Sequence, residues 1–404
     1  MELKDEWIQE DEVYDNPLLK WTLNGLRYFG ILLYKSQPWK KLNCFRGVCF
    51  TASMLLFNIT QYVDLYQVWG NVGDMTANAS TTLLFSTTII RLFHFYWNRT
   101  RFNSVIRRAD EGTRQILRQA NAEEMLIFTG NVKYIKRLTA LFWICALVTA
   151  NSMCLFTLIQ FFSASTKDSD RVTILRSWYP AENGMDHFAS VYCIQLYIMY
   201  VGQLIVPCWH VFMVSLMIYV RMALMVLNHR LENMRGSSLK ELSNMDEKRQ
   251  ILLKDGIVEC IQMQRELYEY ARELEALLKG AVFMDFVVFS VLLCALLFEA
   301  SVTNSTVQVF IDICYITTMT AILFLYYWHA NEIHYQANLL SMSAFKSNWH
   351  SYPHSLKRCL LTFICYSIKP LTLKAFFVPM SLDTFIAILR ASYSYFTILK
   401  QATN

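Results

Sequence analysis

Apolar residues gather along this chain in seven long runs separated by polar stretches. They lie at about 47–68, 77–97, 138–162, 188–216, 280–302, 307–328 and 376–399. Each is near the roughly 20 residues an α-helix needs to cross a bilayer. The fifth and sixth runs are separated only by "VTNST", which makes them a tight hairpin. Between the runs, 217–279 repeats apolar residues at helical spacing, such as Leu239, Leu242 and Met245, or Leu267, Tyr270, Leu274 and Leu277. That period predicts long amphipathic helices continuing below the fourth and fifth spans, broken at Gly236, Ser237 and Ser238. Such faces require a partner in water. The fourth run carries Gly202 and Pro207, which predict a kink.

Composition agrees with a membrane protein. The chain has 54% hydrophobic and only 17% charged residues, with a mean hydropathy of +0.27, whereas soluble domains carry about a quarter charged. The opening "MELKDEWIQEDEVYDN" lacks the basic and apolar regions of a signal peptide. Charge sets the orientation. Of 37 Lys and Arg, 31 fall in segments that are cytosolic if the N-terminus is inside, and 4 fall outside. The positive-inside rule then predicts an all-α, integral membrane seven-helix bundle with a cytosolic N-terminus and an extracellular C-terminus. Its parts are a cytosolic segment 1–46, six spans over 47–328 with cytosolic helical extensions at 98–137 and 217–279, a cytosolic segment 329–375, and a last helix with a short tail over 376–404. Sequons at Asn78 and Asn304 fall outside in this arrangement and support it weakly, since Asn58 and Asn98 do not.

Candidate chemistry is sparse. Eleven cysteines lie in spans or cytosolic segments, as scattered thiols rather than a disulfide framework, and none pairs as C-x-x-C. "HANEIH" at 329–334 lacks the His pair at i, i+4 of zinc proteases, and no Walker loop or nucleophile elbow is present. No enzyme activity, cofactor, metal or nucleic-acid partner is expected. Arg91, Asp285, Glu299, Asp312, Asp383 and Arg390 lie in or at the edges of the runs, where ionisable residues face protein or water. Snorkelling or local ion pairs account for most. Asp312, placed deeper, suits either a ligand cavity or a polar packing partner.

The last run is two-sided. On a helical wheel Asp383, Thr384, Ala387, Arg390, Ala391, Ser394, Thr397, Ile398, Gln401 and Ala402 share an arc of about 140°. Phe385, Ile388, Leu389, Tyr393, Tyr395, Phe396 and Leu399 occupy the other side. The small, polar face suits a water-lined path, with Ile398 able to gate by dewetting. It equally suits close helix–helix contact.

The C-terminal third resembles the insect odorant receptors. The resemblance rests on Asn331–Glu332, on Ser347, Trp349 and His350, on Lys369–Pro370–Leu371, on "LDTF" at 382–385 and on "SYSYF" at 392–396. It implies a ligand-gated, non-selective cation channel in the plasma membrane of olfactory neuron dendrites, assembled as a heterotetramer with a common co-receptor. The last span would line the pore, through Asp383, Ala387, Ala391, Ser394, Ile398, Gln401 and Ala402. The gate positions carry over to Ile398 and Ala402, and Ala402 is smaller than the co-receptor's usual leucine, which loosens the expectation of a tight gate there. The cytosolic helices would form an intersubunit anchor. The chain lacks the co-receptor's long insertion between the fourth and fifth spans, which implies a tuning subunit. The family binds small volatile ligands between the second, third, fourth and sixth spans, and the candidate pocket residues here are Phe85, Asn151, Tyr192, Gln195, Met199 and Phe310. Two other readings remain: a gustatory-type channel of the same superfamily, and a G-protein-coupled receptor. The second lacks Asp-Arg-Tyr after the third span and Asn-Pro-x-x-Tyr in the seventh.

Overall fold

The computed structural model describes residues 16–32, 40–163, 173–179, 188–234, 246–303, 306–347, 349–369 and 371–403. Within them the helices are α1 (Lys20–Tyr28), α2 (Lys40–Gln67), α3 (Val72–Trp97), α4 (Arg99–Gln119), α5 (Ala122–Ser163), α6 (Phe188–Glu232), α7 (Asp246–Val302), α8 (Thr306–Lys346), α9 (His354–Ser367) and α10 (Leu382–Thr403). A two-stranded hairpin, β1 (Lys374–Ala375) and β2 (Val378–Pro379), precedes α10. Five helices, α2, α5, α6, α7 and α8, are long and apolar enough to cross a membrane. The two remaining apolar runs are also helical, as α3 and α10, and carry more polar residues.

Short polar side chains set the helix starts. Asn71 accepts from the Asp74 amide at the head of α3, and Asn121 accepts from the Glu124 amide at the head of α5 at 2.8 Å. Ser381 accepts from the Thr384 amide and starts α10. Each satisfies one of the backbone donors a helix leaves unpaired at its N-terminus. The seventh apolar run therefore does not begin as helix at 376. Ala375 pairs with Val378 across a turn at Phe376, whose φ is 56°, and Met380 extends the pairing to Leu373. Phe376 and Phe377 meet Phe283 of α7 edge-on, with ring centroids 5.4 and 5.6 Å away, while both remain exposed.

α6 is the centre of the bundle. It packs against α5, α7, α8, α4, α3 and α1. Val211 to Leu227 are almost entirely buried, so its run of apolar residues on every side belongs inside a protein wall rather than against lipid. α6 runs as one helix through Pro207. Gly202 serves close approach: a Cβ there would stand 2.8 Å from the Phe85 ring.

α6 continues as helix to Glu232 and α7 is helical from Asp246, and the two pack against each other. Leu267, Tyr270, Leu274 and Leu277 are buried, and Tyr270 meets Tyr219 of α6 edge-on at 5.0 Å. Leu239, Leu242 and Met245 lie outside the described residues. At this end Arg230 of α6 forms two 3.1 Å hydrogen bonds to the buried Glu124 of α5 and a 3.2 Å bond to Glu259 of α7. α9 buries Leu356, Leu360 and Phe363 and is tied to α7 by Gln264 donating to Ser367 at 2.7 Å.

All eleven cysteines are free thiols. Of the sequons, Asn78 is fully buried, donating to the Gln61 carbonyl and to Asp64 at 2.7 Å, which removes it as a glycan acceptor. Asn304 lies outside the described residues.

Candidate functional site

An apolar cavity lies at the end of the bundle where α2 turns into α3 and α7 into α8. Thr81, Leu84, Phe85 and Thr88 of α3 form one wall at helical spacing. Met199, Gly202, Gln203 and Val206 of α6 form the opposite wall with the same period. Thr149 and Met153 of α5 and Tyr315 of α8 close the sides, and Leu175 lies on top. The space open to a water-sized sphere is about 30 Å³, near the volume needed for two waters. A small organic ligand fits only if side chains give way. Phe85, Met153 and Met199 are the adaptable ones, and the two thioethers re-pack at little cost.

Residues 173–179 form a roof fastened at three points. The Gln195 side chain of α6 clamps Leu175 as a neighbouring strand would. Its Oε1 accepts from the Leu175 amide at 3.1 Å and its Nε2 donates to the Leu175 carbonyl at 2.6 Å, with further bonds to Ser177 and Tyr179. The Trp178 amide donates to the Thr60 carbonyl of α2 at 3.2 Å. Arg176 forms an ion pair with Asp74 of α3. Beyond the roof is a polar vestibule of about 550 Å³ on the same measure. Asp64, Asp74, Glu299 and Asp312 line it, and it shares Thr81, Met153, Leu175 and Tyr315 with the apolar cavity. Asp312, 3% exposed, lines this vestibule and not the apolar cavity.

Of the six candidate pocket residues, Phe85 and Met199 line the cavity. Gln195 is fully buried but holds the roof rather than the cavity wall. Tyr192 donates to the Cys154 carbonyl at 3.3 Å, and Asn151 is exposed, accepting from Tyr200 at 2.6 Å. Phe310 is 56% exposed. The other ten wall residues were missed, among them Gln203, Gly202, whose sequence signal was read as a kink, and Leu175, which sits in a connection with no periodicity to read.

Beneath the cavity Arg91 of α3 and Asp285 of α7 form a buried ion pair. Arg91 also lies 3.3 Å from His210 Nε2 of α6, and His210 Nδ1 lies 3.1 Å from the Tyr326 hydroxyl of α8. The guanidinium can only donate, so Nε2 accepts and Nδ1–H donates to Tyr326. Four helices are joined through this cluster. In "HANEIH", His329 pairs with Tyr134 at 3.2 Å and Glu332 with Arg221 at 3.4 Å, and no metal-binding group occurs among the described residues.

α10 rests on the bundle by Phe385, Ile388 and Ser392, all buried. Phe385 packs against Phe324 of α8 at 5.6 Å, and Ser392 donates to the Ser290 carbonyl of α7 at 3.2 Å. Asp383, Ala387, Ser394, Ile398 and Gln401 are exposed, Ala391 is half-buried, and the Ala402 side chain lies outside the described residues. The hydroxyls of Ser394 and Thr397 bond back to the Arg390 and Ser394 carbonyls at 2.9 and 2.7 Å. They are satisfied within the helix yet keep lone pairs open to water. Tyr393 and Tyr395, on the bulky side, are also exposed.

The family model described as 7tm Odorant receptor matches residues 71–393. Among curated proteins, Odorant receptor 56a of Drosophila melanogaster is 26% identical, over 96% of this chain and 96% of its own length. Odorant receptor Or2 of Anopheles gambiae is 23% identical, over 92% of this chain and 95% of its own length. Among solved structures, the insect olfactory receptor OR5 of Machilis hrabei in complex with eugenol superposes with a TM-score of 0.81 at 13% identity, covering 97% of this chain and 100% of that one, which shows a shared fold. This chain belongs to the seven-transmembrane odorant receptor family, a family of multi-pass membrane receptors rather than enzymes.

Proposed function

We propose that this chain is the tuning subunit of an odorant-gated cation channel. A small volatile ligand binds in the cavity between α3, α5, α6 and α8, and the channel is a heterotetramer with a co-receptor in the plasma membrane of olfactory neuron dendrites. The N-terminus is cytosolic and the C-terminus extracellular, so the cavity lies in the outer half of the bundle. The observation that carries this reading is an apolar cavity inside the bundle together with a helix, α10, packed on α7 and α8, whose polar face stays open in the single chain. A pocket lined by aromatic and thioether groups with a few polar atoms grips small apolar molecules by dispersion. The solved receptor of the same fold was obtained with eugenol, a small aromatic molecule.

α10 lines the pore through Asp383, Ala387, Ala391, Ser394, Ile398, Gln401 and Ala402. Ile398, 61% exposed here, narrows the path when the last helices of the four subunits meet. The anchor contacts the co-receptor through apolar side chains left bare at the opposite end, Leu361, Tyr366 and Ile368 at the end of α9 and Ile251 and Leu252 of α7, all more than 45% exposed.

The test is whole-cell current in cells expressing this chain with the co-receptor, against a volatile panel, with G-protein signalling blocked. A fast ligand-evoked cation current that neither subunit gives alone supports the reading. A response abolished by the block overturns direct gating. An N-terminal epitope accessible on intact cells overturns the orientation.

A further inference from the structure

The cavity wall contains five side chains able to hydrogen-bond, and four are already committed as donors. Thr81 donates to the Asn78 carbonyl at 3.2 Å, Thr88 to Leu84 at 2.8 Å, Thr149 to Cys145 at 2.9 Å and Tyr315 to Ser80 at 3.1 Å. Each bond goes to a main-chain carbonyl, three of them within the residue's own helix. The fifth is Gln203. Its amide makes no hydrogen bond among the described residues, although it is half-buried on the α6 wall beside Gly202. It sits one helical turn from Met199 and faces the same space. No charged side chain lines the cavity.

We infer that Gln203 is the specificity-determining residue of this cavity, and that its amide N–H donates to a neutral ligand carrying an acceptor oxygen: a small alcohol or ketone. This rests on the odorant-binding reading above and narrows it. An amide facing an apolar ligand loses water and gains no partner, so a pure hydrocarbon is penalised. A carboxylate or ammonium would be buried without a counter-charge and is excluded more strongly. The threonine and tyrosine oxygens retain acceptor lone pairs, so they accept a ligand hydroxyl proton but cannot replace the Gln203 donor. The ligand is compact, because the free space is small and the opposite wall is the Phe85 ring.

The experiment measures half-maximal concentrations for current in cells expressing the chain with the co-receptor. Two matched series serve as probes: cyclohexane, cyclohexanol and cyclohexanone; and ethylbenzene, 1-phenylethanol and acetophenone. The wild type responds to the oxygenated members at concentrations at least about tenfold below the hydrocarbon. Gln203→Met keeps length and volume and removes the donor, and it brings the three members of a series to within about twofold. Gln203→Leu removes both donor and acceptor, so it also levels the series, and it provides the reading if the methionine variant fails to reach the surface. A wild-type preference that survives both substitutions overturns the assignment. So does a wild type that ignores the oxygenated compounds while other volatiles drive current. Silence to every volatile, with both subunits at the surface, overturns the channel reading itself.

Discussion

The Arg91 guanidinium of α3 and the Asp285 carboxylate of α7 form an ion pair whose side chains are 1% and 3% exposed. His210 and Tyr326 extend it to α6 and α8, so four helices, three of them walls of the cavity, meet at one electrostatic point. Removing one partner leaves a buried charge without compensation. Asp285→Asn or Arg91→Met lowers stability by about 3–5 kcal/mol, and replacing both by apolar residues recovers most of it. Thermal melting of the detergent-purified receptor checks this. Additive losses in the double variant would mean that the two residues do not act as a pair.

Gly202 lets α6 approach Phe85, and a Cβ at that position would be 2.8 Å from the ring. Gly202→Ala pushes the ring into a cavity that is already small. Half-maximal ligand concentration rises about tenfold with ion selectivity unchanged, as a group tuning binding by about 1.4 kcal/mol does. Gly202→Ala with Phe85→Leu restores sensitivity.

Gln195 holds the roof through both polar groups of Leu175. Gln195→Leu leaves a buried amide and carbonyl unpaired, at about 1–3 kcal/mol each. The segment 173–179 then opens more often. Hydrogen exchange at Leu175 and Ser177 accelerates in the variant, and unchanged protection would show that Trp178 and Arg176 suffice.

The exposed face of α10 predicts a permeation effect. Ser394→Lys or Ile398→Glu alters single-channel conductance or basal current, because each places a charge at the proposed water path. If both variants reach the surface and conduct normally, α10 is a packing helix.

Arg230 makes two parallel bonds to the buried Glu124 and a third to Glu259. Lysine offers one point charge where a planar fork is used, so Arg230→Lys is not conservative. A loss of about 2 kcal/mol is expected, from a charge-assisted, partly buried pair. It is read as a lower melting temperature with unchanged ligand selectivity.

Much of the architecture was legible in the chain because its causes are local. Run length places the spans, since a helix that crosses a bilayer needs about 20 apolar residues whatever its neighbours. The 3.6-residue period places the long extensions of α6 and α7, and the wheel of α10 separates buried Phe385 and Ile388 from open Ser394 and Ile398. The hairpin ahead of α10 was not legible, because Phe376 and Phe377 are as apolar as the helix that follows and only their contact with Phe283 distinguishes them.

The cavity was legible only at Phe85 and Met199. Periodicity states which residues share a face, but not which neighbour that face meets. Gln195 and Met199 lie one turn apart on α6, yet one grips the roof and the other lines the cavity, because the roof crosses α6 at that level. The sequence by itself determined the helical runs, their apolar composition and the contrast in the last between buried Phe385 and Ile388 and open Ser394 and Ile398. Tertiary structure alone decided the partner of Arg91, the close approach at Gly202 and the uncommitted amide of Gln203. Those depend on contacts between helices far apart in the chain, and a local pattern of apolar and polar residues does not encode them.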